Sequence, residues 1–352
     1  MNKKLVAVAI AGLLAAPLAQ AQTANVTLYG RLNLDLEFVK GQQANGSNPT
    51  QYRVSSNSSR FGLRGTESLG GGLNAIFQVE NSLTADNSGG SLAGRDTFVG
   101  LQGGWGTMKV GFYHLPYDNI HGYIWGSNPT LETGIMATSS IWAQGFASKA
   151  AGGFDSRIGN SVRWDSPIWS GWQTQWSYSI GGGAAGQEGT FKSTSSVSSG
   201  AVFYMNGPIY FGAAFQYNNS VRQLGLNDLA YSFAGAYQFP KVRVGAVYER
   251  LDYDCANVAT VSPPTSASIA AGLASCQTAK GPLGTSSLTR NMYGVDLTID
   301  AGPGQFYFDW SFGGNGGGSV VNGARVAGLA KGDNSSSNQW EVSYTYPLSK
   351  RT

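Results

Sequence analysis

The chain has 352 residues and a formal charge of only +3, with 12% charged side chains, 12% aromatic side chains and 50 glycines. Charged residues make up roughly a quarter of ordinary soluble domains, so this composition suits a surface that meets lipid. It also excludes a nucleic-acid binder, because phosphate neutralisation needs clustered Lys and Arg, and here they are sparse and scattered.

Residues 1–21 carry Lys3 and Lys4, an apolar run from Leu5 to Leu18 and the small-residue end Ala19-Gln20-Ala21. That is the pattern of a cleaved export signal, leaving residues 22–352 as one mature domain. The run is too short for a spanning helix, and no later stretch reaches about 20 apolar residues. Only helices and closed barrels satisfy every backbone amide in hydrocarbon, so a membrane location requires a closed barrel.

From Val26 to Val39, Leu28, Leu32, Leu34, Leu36 and Phe38 share one face, and Thr27, Tyr29, Arg31, Asn33, Asp35 and Glu37 share the other. A period of two predicts a strand with one greasy and one wet side. Predicted strands continue over Ser59 to Leu69 and Leu73 to Leu83, joined by Gly70-Gly71-Gly72, then Arg95 to Gln102 and Thr107 to Leu115. The insertion 116–155 interrupts them. Next come Arg157 to Ser166, Trp172 to Gly181, Val197 to Asn206, Ile209 to Asn218, Leu229 to Phe239 and Val242 to Asp252. Arg290 to Asp300, Gln305 to Gly313 and Gln339 to Tyr346 complete about fourteen strands.

Tight turns at Gly70, Gly104, Pro167, Gly207, Pro240 and Gly302 alternate with longer polar loops, the asymmetry of a transmembrane barrel. Strand-end aromatics such as Phe38, Trp172, Trp176, Trp310, Trp340 and Tyr344 suit the boundary between acyl tails and water. The fold class is therefore all-β, a transmembrane antiparallel β-barrel.

Cys255 and Cys276 flank a Ser/Ala/Pro-rich stretch. An exported chain meets an oxidising compartment, so a structural disulfide closing that loop is expected, worth about 3 kcal/mol; two separate thiols are the other reading. His114 and His121 are the only histidines, too few partners for a zinc site, and no metal or cofactor is expected.

In order along the chain, Asn25 to Arg31, Ser59 to Glu67 running into Leu69 to Leu73, Ala75 to Glu80, Phe98 to Leu101, Trp105 to Thr107 into Val110-Gly111, Asn160 to Pro167, and Tyr346 to Thr352 match one family. By these segments the chain resembles the general porins of β-proteobacteria. The resemblance implies a sixteen-stranded outer-membrane channel, assembled as a homotrimer among outer-membrane lipids, through which small hydrophilic solutes and ions diffuse passively. Members of that family continue past the Leu-Ser-Lys-Arg-Thr turn with one more hairpin ending in Phe. This chain stops at Thr352 inside that turn, two strands short, so a C-terminally incomplete barrel is expected.

The same resemblance implies that the third external loop, here the insertion 116–155, folds into the lumen and sets carboxylates against a basic ladder. Asp118 and Glu132 are its expected acids. Strand parity independently puts Arg60 and Arg64 on the wet face, with Arg31, Arg157 and Arg163 in the same phase and Arg95 opening the fourth strand. These eight residues are the predicted constriction, whose transverse field favours polar over apolar solutes. Arginine stays charged at any working pH, and its excess over the loop acids points to a mild anion preference, against which Asp35, Glu37 and Glu80 on the same wall act.

Two other readings compete. An outer-membrane hydrolase would need a nucleophile elbow, and no Gly-x-Ser-x-Gly in a strand-to-helix context is present, so the chain is not expected to be an enzyme. An adhesive barrel with a plugged lumen would show no conductance.

Overall fold

The computed structural model describes residues 25–40, 49–120, 154, 156–180, 195–221, 225–257, 277–278, 286–320, 322, 325–326 and 329–349. The export signal, most of the insertion with His121 and Glu132, and Cys276 lie outside the described residues.

Beside five strand segments of two residues each, apolar–polar alternation builds sixteen of seven residues or more among the described residues. They are β1 (Asn25–Arg31), β2 (Leu34–Lys40), β3 (Thr50–Ser56), β4 (Arg60–Gly70), β5 (Leu73–Leu83), β6 (Thr97–Gly103), β7 (Gly106–His114) and β8 (Arg157–Asp165). The second half holds β9 (Trp172–Ile180), β10 (Ser196–Asn206), β11 (Ile209–Asn219), β12 (Asn227–Gln238), β13 (Val242–Asn257), β14 (Ser286–Ala301), β15 (Gly304–Gly313) and β16 (Ser337–Thr345). From β4 to β16 each segment pairs antiparallel with the next in the chain, and β1 pairs with β4. Glycine makes the tight turns possible: Gly71 and Gly207 sit at φ 59° and 56°, a region that strains side chains with a Cβ.

The first hairpin departs from the predicted uninterrupted strand over Val26 to Val39. It breaks between β1 and β2, while β3, unforeseen in the sequence, breaks from β4. Arg31 pairs with Arg60 and Leu34 with Ser56, so two residues face three, and the extra one makes a bulge. Asn57 N donates to Asn33 O at 2.9 Å, Asn33 N to Ser59 Oγ at 2.9 Å, and Ser58 takes φ 52°. The bulge switches parity, so the outward residues of β3 are even-numbered (Tyr52, Val54) and those of β4 odd-numbered (Phe61, Leu63). With β1 and β2 as one bent stave and β3 and β4 as another, the sixteen segments amount to fourteen staves.

Burial is inverted relative to a soluble sheet. Leu28 is 70% exposed, Trp176 51% and Trp340 63%, whereas Ser179, Gln216, Ser232, Glu249 and Ser311 are fully buried on the other face. Such a wall shows its apolar side to acyl chains and its polar side to the lumen. Aromatic pairs form two bands: Tyr237–Phe239 and Phe306–Tyr344 near the tight turns at 4.6 and 4.5 Å, and Tyr231–Tyr248 and Tyr248–Tyr293 further along the strands at 6.3 and 5.4 Å. Among the described residues no helix is long and apolar enough to cross a membrane.

Inside the barrel Tyr117, Ile120 and Phe154 join Phe203, Ala230, Leu251, Tyr253 and Met292 in one buried cluster. The segment following β7 therefore packs on the lumenal face of the second half of the sheet.

Candidate channel lining

Three rows of lumenal side chains cross β1, β4 and β5. Tyr29 pairs with Gly62 and Gly62 with Glu80, and the tyrosine lies across the glycine to donate its hydroxyl to Glu80 Oε2 at 3.0 Å. A Cβ at position 62 would stand 2.6 Å from that ring, so only glycine leaves the path open. The Arg64 guanidinium sits 5.2 Å from the Tyr29 ring centroid, a cation–π contact. Glu80 also accepts from Arg95 Nε at 2.5 Å and lies 3.9 Å from Arg60 Nε. Arg31 is within electrostatic reach of Arg60 and Arg95. Arg95 stands two residues ahead of β6, which begins at Thr97 and not at the arginine.

A second charged cluster occupies the long-loop ends of β7 and β8. Arg157 Nε approaches Asp96 Oδ1 at 2.6 Å, and the His114 ring lies between Asp96 at 3.2 Å and Asp118 at 2.9 Å. Burial of Asp96 opposes its ionisation, but the hydrogen bond and charge of His114, with the charge of Arg157, outweigh it and hold this carboxyl well below the usual carboxylate range. Arg163 bonds Asp165 Oδ1 at 2.6 Å and donates to the His114 carbonyl at 2.8 Å, while Lys109 reaches Asp165 at 3.3 Å.

From this cluster the segment Leu115–Ile120 crosses the lumenal face of the neighbouring strands, reaching β9, β10 and β13. Tyr117 N donates to Ser199 Oγ at 3.0 Å, the Tyr117 hydroxyl donates to Glu249, and Asn119 Nδ2 donates to Gln175 Oε1 at 2.7 Å. Phe154 stacks between the Tyr117 and Tyr253 rings, at 6.3 and 5.2 Å.

The last three strands carry an acidic row. Asp296 pairs in register with Asp309, and Asp309 with Glu341, so three lumenal carboxylates run side by side across β14, β15 and β16. They are 3%, 2% and 6% exposed, and Arg243 stands 3.3 Å from Asp296. The lumen thus has a basic side built from the first half of the chain and an acidic side built from the second.

Of the predicted constriction residues, Arg31, Arg60, Arg64 and Arg95 lie in one patch. Arg157 belongs to the second cluster, and Arg163 is 5% exposed, within the wall. Asp118 joins the basic side through His114. Glu80 is placed on the arginine wall by strand parity, whereas Asp96, Asp165 and the acidic row of β14 to β16 were not singled out from sequence. Strand parity could have found the row, since Asp309 lies between Phe308 and Trp310, and Glu341 between Trp340 and Val342. Among the described residues no group of three or more His, Cys, Asp or Glu is placed to hold a metal.

A family model described as Gram-negative porin matches residues 6–352. The chain belongs to the Gram-negative porin family. Curated relatives include a monosaccharide porin of Halomonas sp, 28% identical over 280 residues covering 74% of each chain. An outer membrane porin protein of Bordetella pertussis is 30% identical over 281 residues, covering 71% of this porin and 69% of that one. Among solved structures, an anion-selective porin from Comamonas acidovorans superposes with a TM-score of 0.67 at 20% identity, over 93% of this porin and 85% of that chain. An OmpT variant of Vibrio cholerae lacking loop L8 superposes with a TM-score of 0.57 at 12% identity, over 84% and 85%. The porin is thus an outer-membrane channel for passive diffusion of small hydrophilic solutes and ions, and not an enzyme.

Proposed function

We propose that the porin conducts with a mild anion preference, set where Arg31, Arg60, Arg64 and Arg95 line the basic side, with Arg157, Arg163 and Asp118 extending that side and Glu132 on the insertion. The observation that carries this reading is the difference in access. Arg31 and Arg64 are exposed, whereas the nearest lumenal carboxylate, Glu80, is 7% exposed and already shared among Tyr29, Arg60 and Arg95. A passing ion meets the arginines first. The Halomonas relative is named a monosaccharide porin, and sugars of that size fall within the same class of small hydrophilic solutes.

Residues 1–21 act as a cleaved signal and 22–352 as the barrel domain, with the insertion 116–155 turned inward; the buried positions of Tyr117, Ile120 and Phe154 support the inward course. A disulfide links Cys255 to Cys276, supported by the full burial of Cys255 and the absence of a free cysteine among the described residues. The working unit is a homotrimer in outer-membrane lipid. Reversal potential across a planar bilayer under a salt gradient tests the preference. A potential of the sign set by anions is expected; one set by cations refutes it.

A further inference from the structure

Both ring nitrogens of His114 face carboxylate oxygens, Nδ1 toward Asp96 Oδ1 at 3.2 Å and Nε2 toward Asp118 Oδ2 at 2.9 Å. A neutral imidazole has one N–H and one bare lone pair. It can donate to one of these carboxylates and must then present its lone pair to the other. Only the doubly protonated ring donates to both.

The charged groups around this ring come from three elements. Asp96 lies on the connection between β5 and β6, Asp118 on the segment after β7, and Arg157 and Arg163 on β8, where Arg157 holds Asp96 and Arg163 holds the His114 carbonyl. Asp165, the partner of Arg163, is one step further along β8. Asp96 is thus fixed to the wall from behind, and Asp118 belongs to the stretch that leaves it. The residues on either side of Asp118 are held separately, Tyr117 on Ser199 and Glu249 and Asn119 on Gln175, and Leu115 N donates to Ser156 O at 3.3 Å. The crossing segment is therefore tied at several points, and the tie at Asp118 passes through a ring whose proton count decides how many bonds it makes.

We propose that His114 is a positioning residue of the channel. While its ring carries both protons it clamps Leu115–Ile120 to the β5–β8 wall, and when pH rises far enough to remove one proton the clamp loses an arm and the segment fluctuates in the lumen. The proposal rests on conduction through this lumen and is independent of the anion preference, since current fluctuation reads the one and reversal potential the other.

The test is single-channel recording of the full-length porin in planar bilayers from about pH 6 to about pH 10, a span that brackets histidine titration. In the native porin the share of time spent in reduced-conductance states should rise about tenfold across that range, the factor that corresponds to about 1.4 kcal/mol of lost positioning. His114→Gln, which cannot donate from two ring positions, should show the raised share at every pH. Asp118→Asn supplies a side-chain amide able to donate to a bare ring nitrogen, and should stay quiet throughout. A purely structural histidine would give no such reversal between the two variants. A flat profile in the native porin, an unchanged rise in His114→Gln, or a full rise in Asp118→Asn each overturns the proposal; should His114→Gln fail to assemble, the native and Asp118→Asn profiles decide it.

Discussion

Tyr117 and Glu249 are 132 positions apart in the chain, and inside the barrel the phenol of one donates a hydrogen bond to the carboxylate of the other. Both are fully buried. This contact ties the segment leaving β7 to the lumenal face of β13 and draws the crossing segment through the lumen.

Replacing Tyr117 with Phe keeps the ring in its apolar cluster and removes the donor to Glu249. The expected cost is about 1–3 kcal/mol, read as a lower urea midpoint for unfolding from detergent micelles. An unchanged midpoint would show that the bond contributes nothing to stability.

Glu80→Gln takes one negative charge from the centre of the basic patch and frees Arg60 and Arg95 from their shared partner. Anion preference should increase, shifting the reversal potential further in the anionic direction. A shift toward cations would mean that Glu80 matters mainly by holding the arginines in place.

Arg64 and Arg163 separate two roles that strand parity alone assigns alike. Arg64→Ala, at an exposed position, should weaken anion selectivity and leave stability within about 0.5 kcal/mol. Arg163→Ala, at a buried position bonded to Asp165 and the His114 carbonyl, should cost on the order of 3 kcal/mol with little effect on the reversal potential. Urea titration beside bilayer recording checks both at once.

Val295 faces outward between the two aromatic bands and is 40% exposed. Val295→Lys should destabilise the barrel by about 2–4 kcal/mol when folded into lipid vesicles, the cost of a cation on the lipid face near mid-depth. If the cost were near zero, that face would not be in hydrocarbon.

Asp96 supplies a pH prediction. Its folded carboxyl titrates below the ordinary value of 3.8, so its contribution is present in full above that value and is lost as pH falls through the folded one. Asp96→Asn should be less stable than the native porin at neutral pH by about 1.5–3 kcal/mol. The two urea midpoints should converge as the solution is acidified; a gap that stays constant into strong acid would contradict the linkage.

How much of this was readable in the sequence varies by level. Strand positions were, because a side-chain period of two is local and the Gly70 to Gly72 and Gly207 turns punctuate it. What parity does not encode is the offset between neighbouring strands, which decides that Glu80 rather than a loop acid meets Arg95, and that Arg163 points into Asp165 instead of open water. The second break in the first hairpin was hidden for a related reason: Thr50 to Ser56 is mostly polar, and Asn57 to Ser59 shift its phase, so its outward Tyr52 and Val54 fall out of step with Phe61 and Leu63.

That extra residue at Asn57 to Ser59 is also dispensable to the pairing on either side of it. Were Ser58 deleted, Arg31 would still oppose Arg60 and Leu34 would still oppose Ser56, now as a continuous ladder with every face preserved. Only direction would change. The outer half of the hairpin owes its heading to one amino acid, whose carbonyl also accepts a hydrogen bond from the Arg60 guanidinium at 3.2 Å on the channel wall.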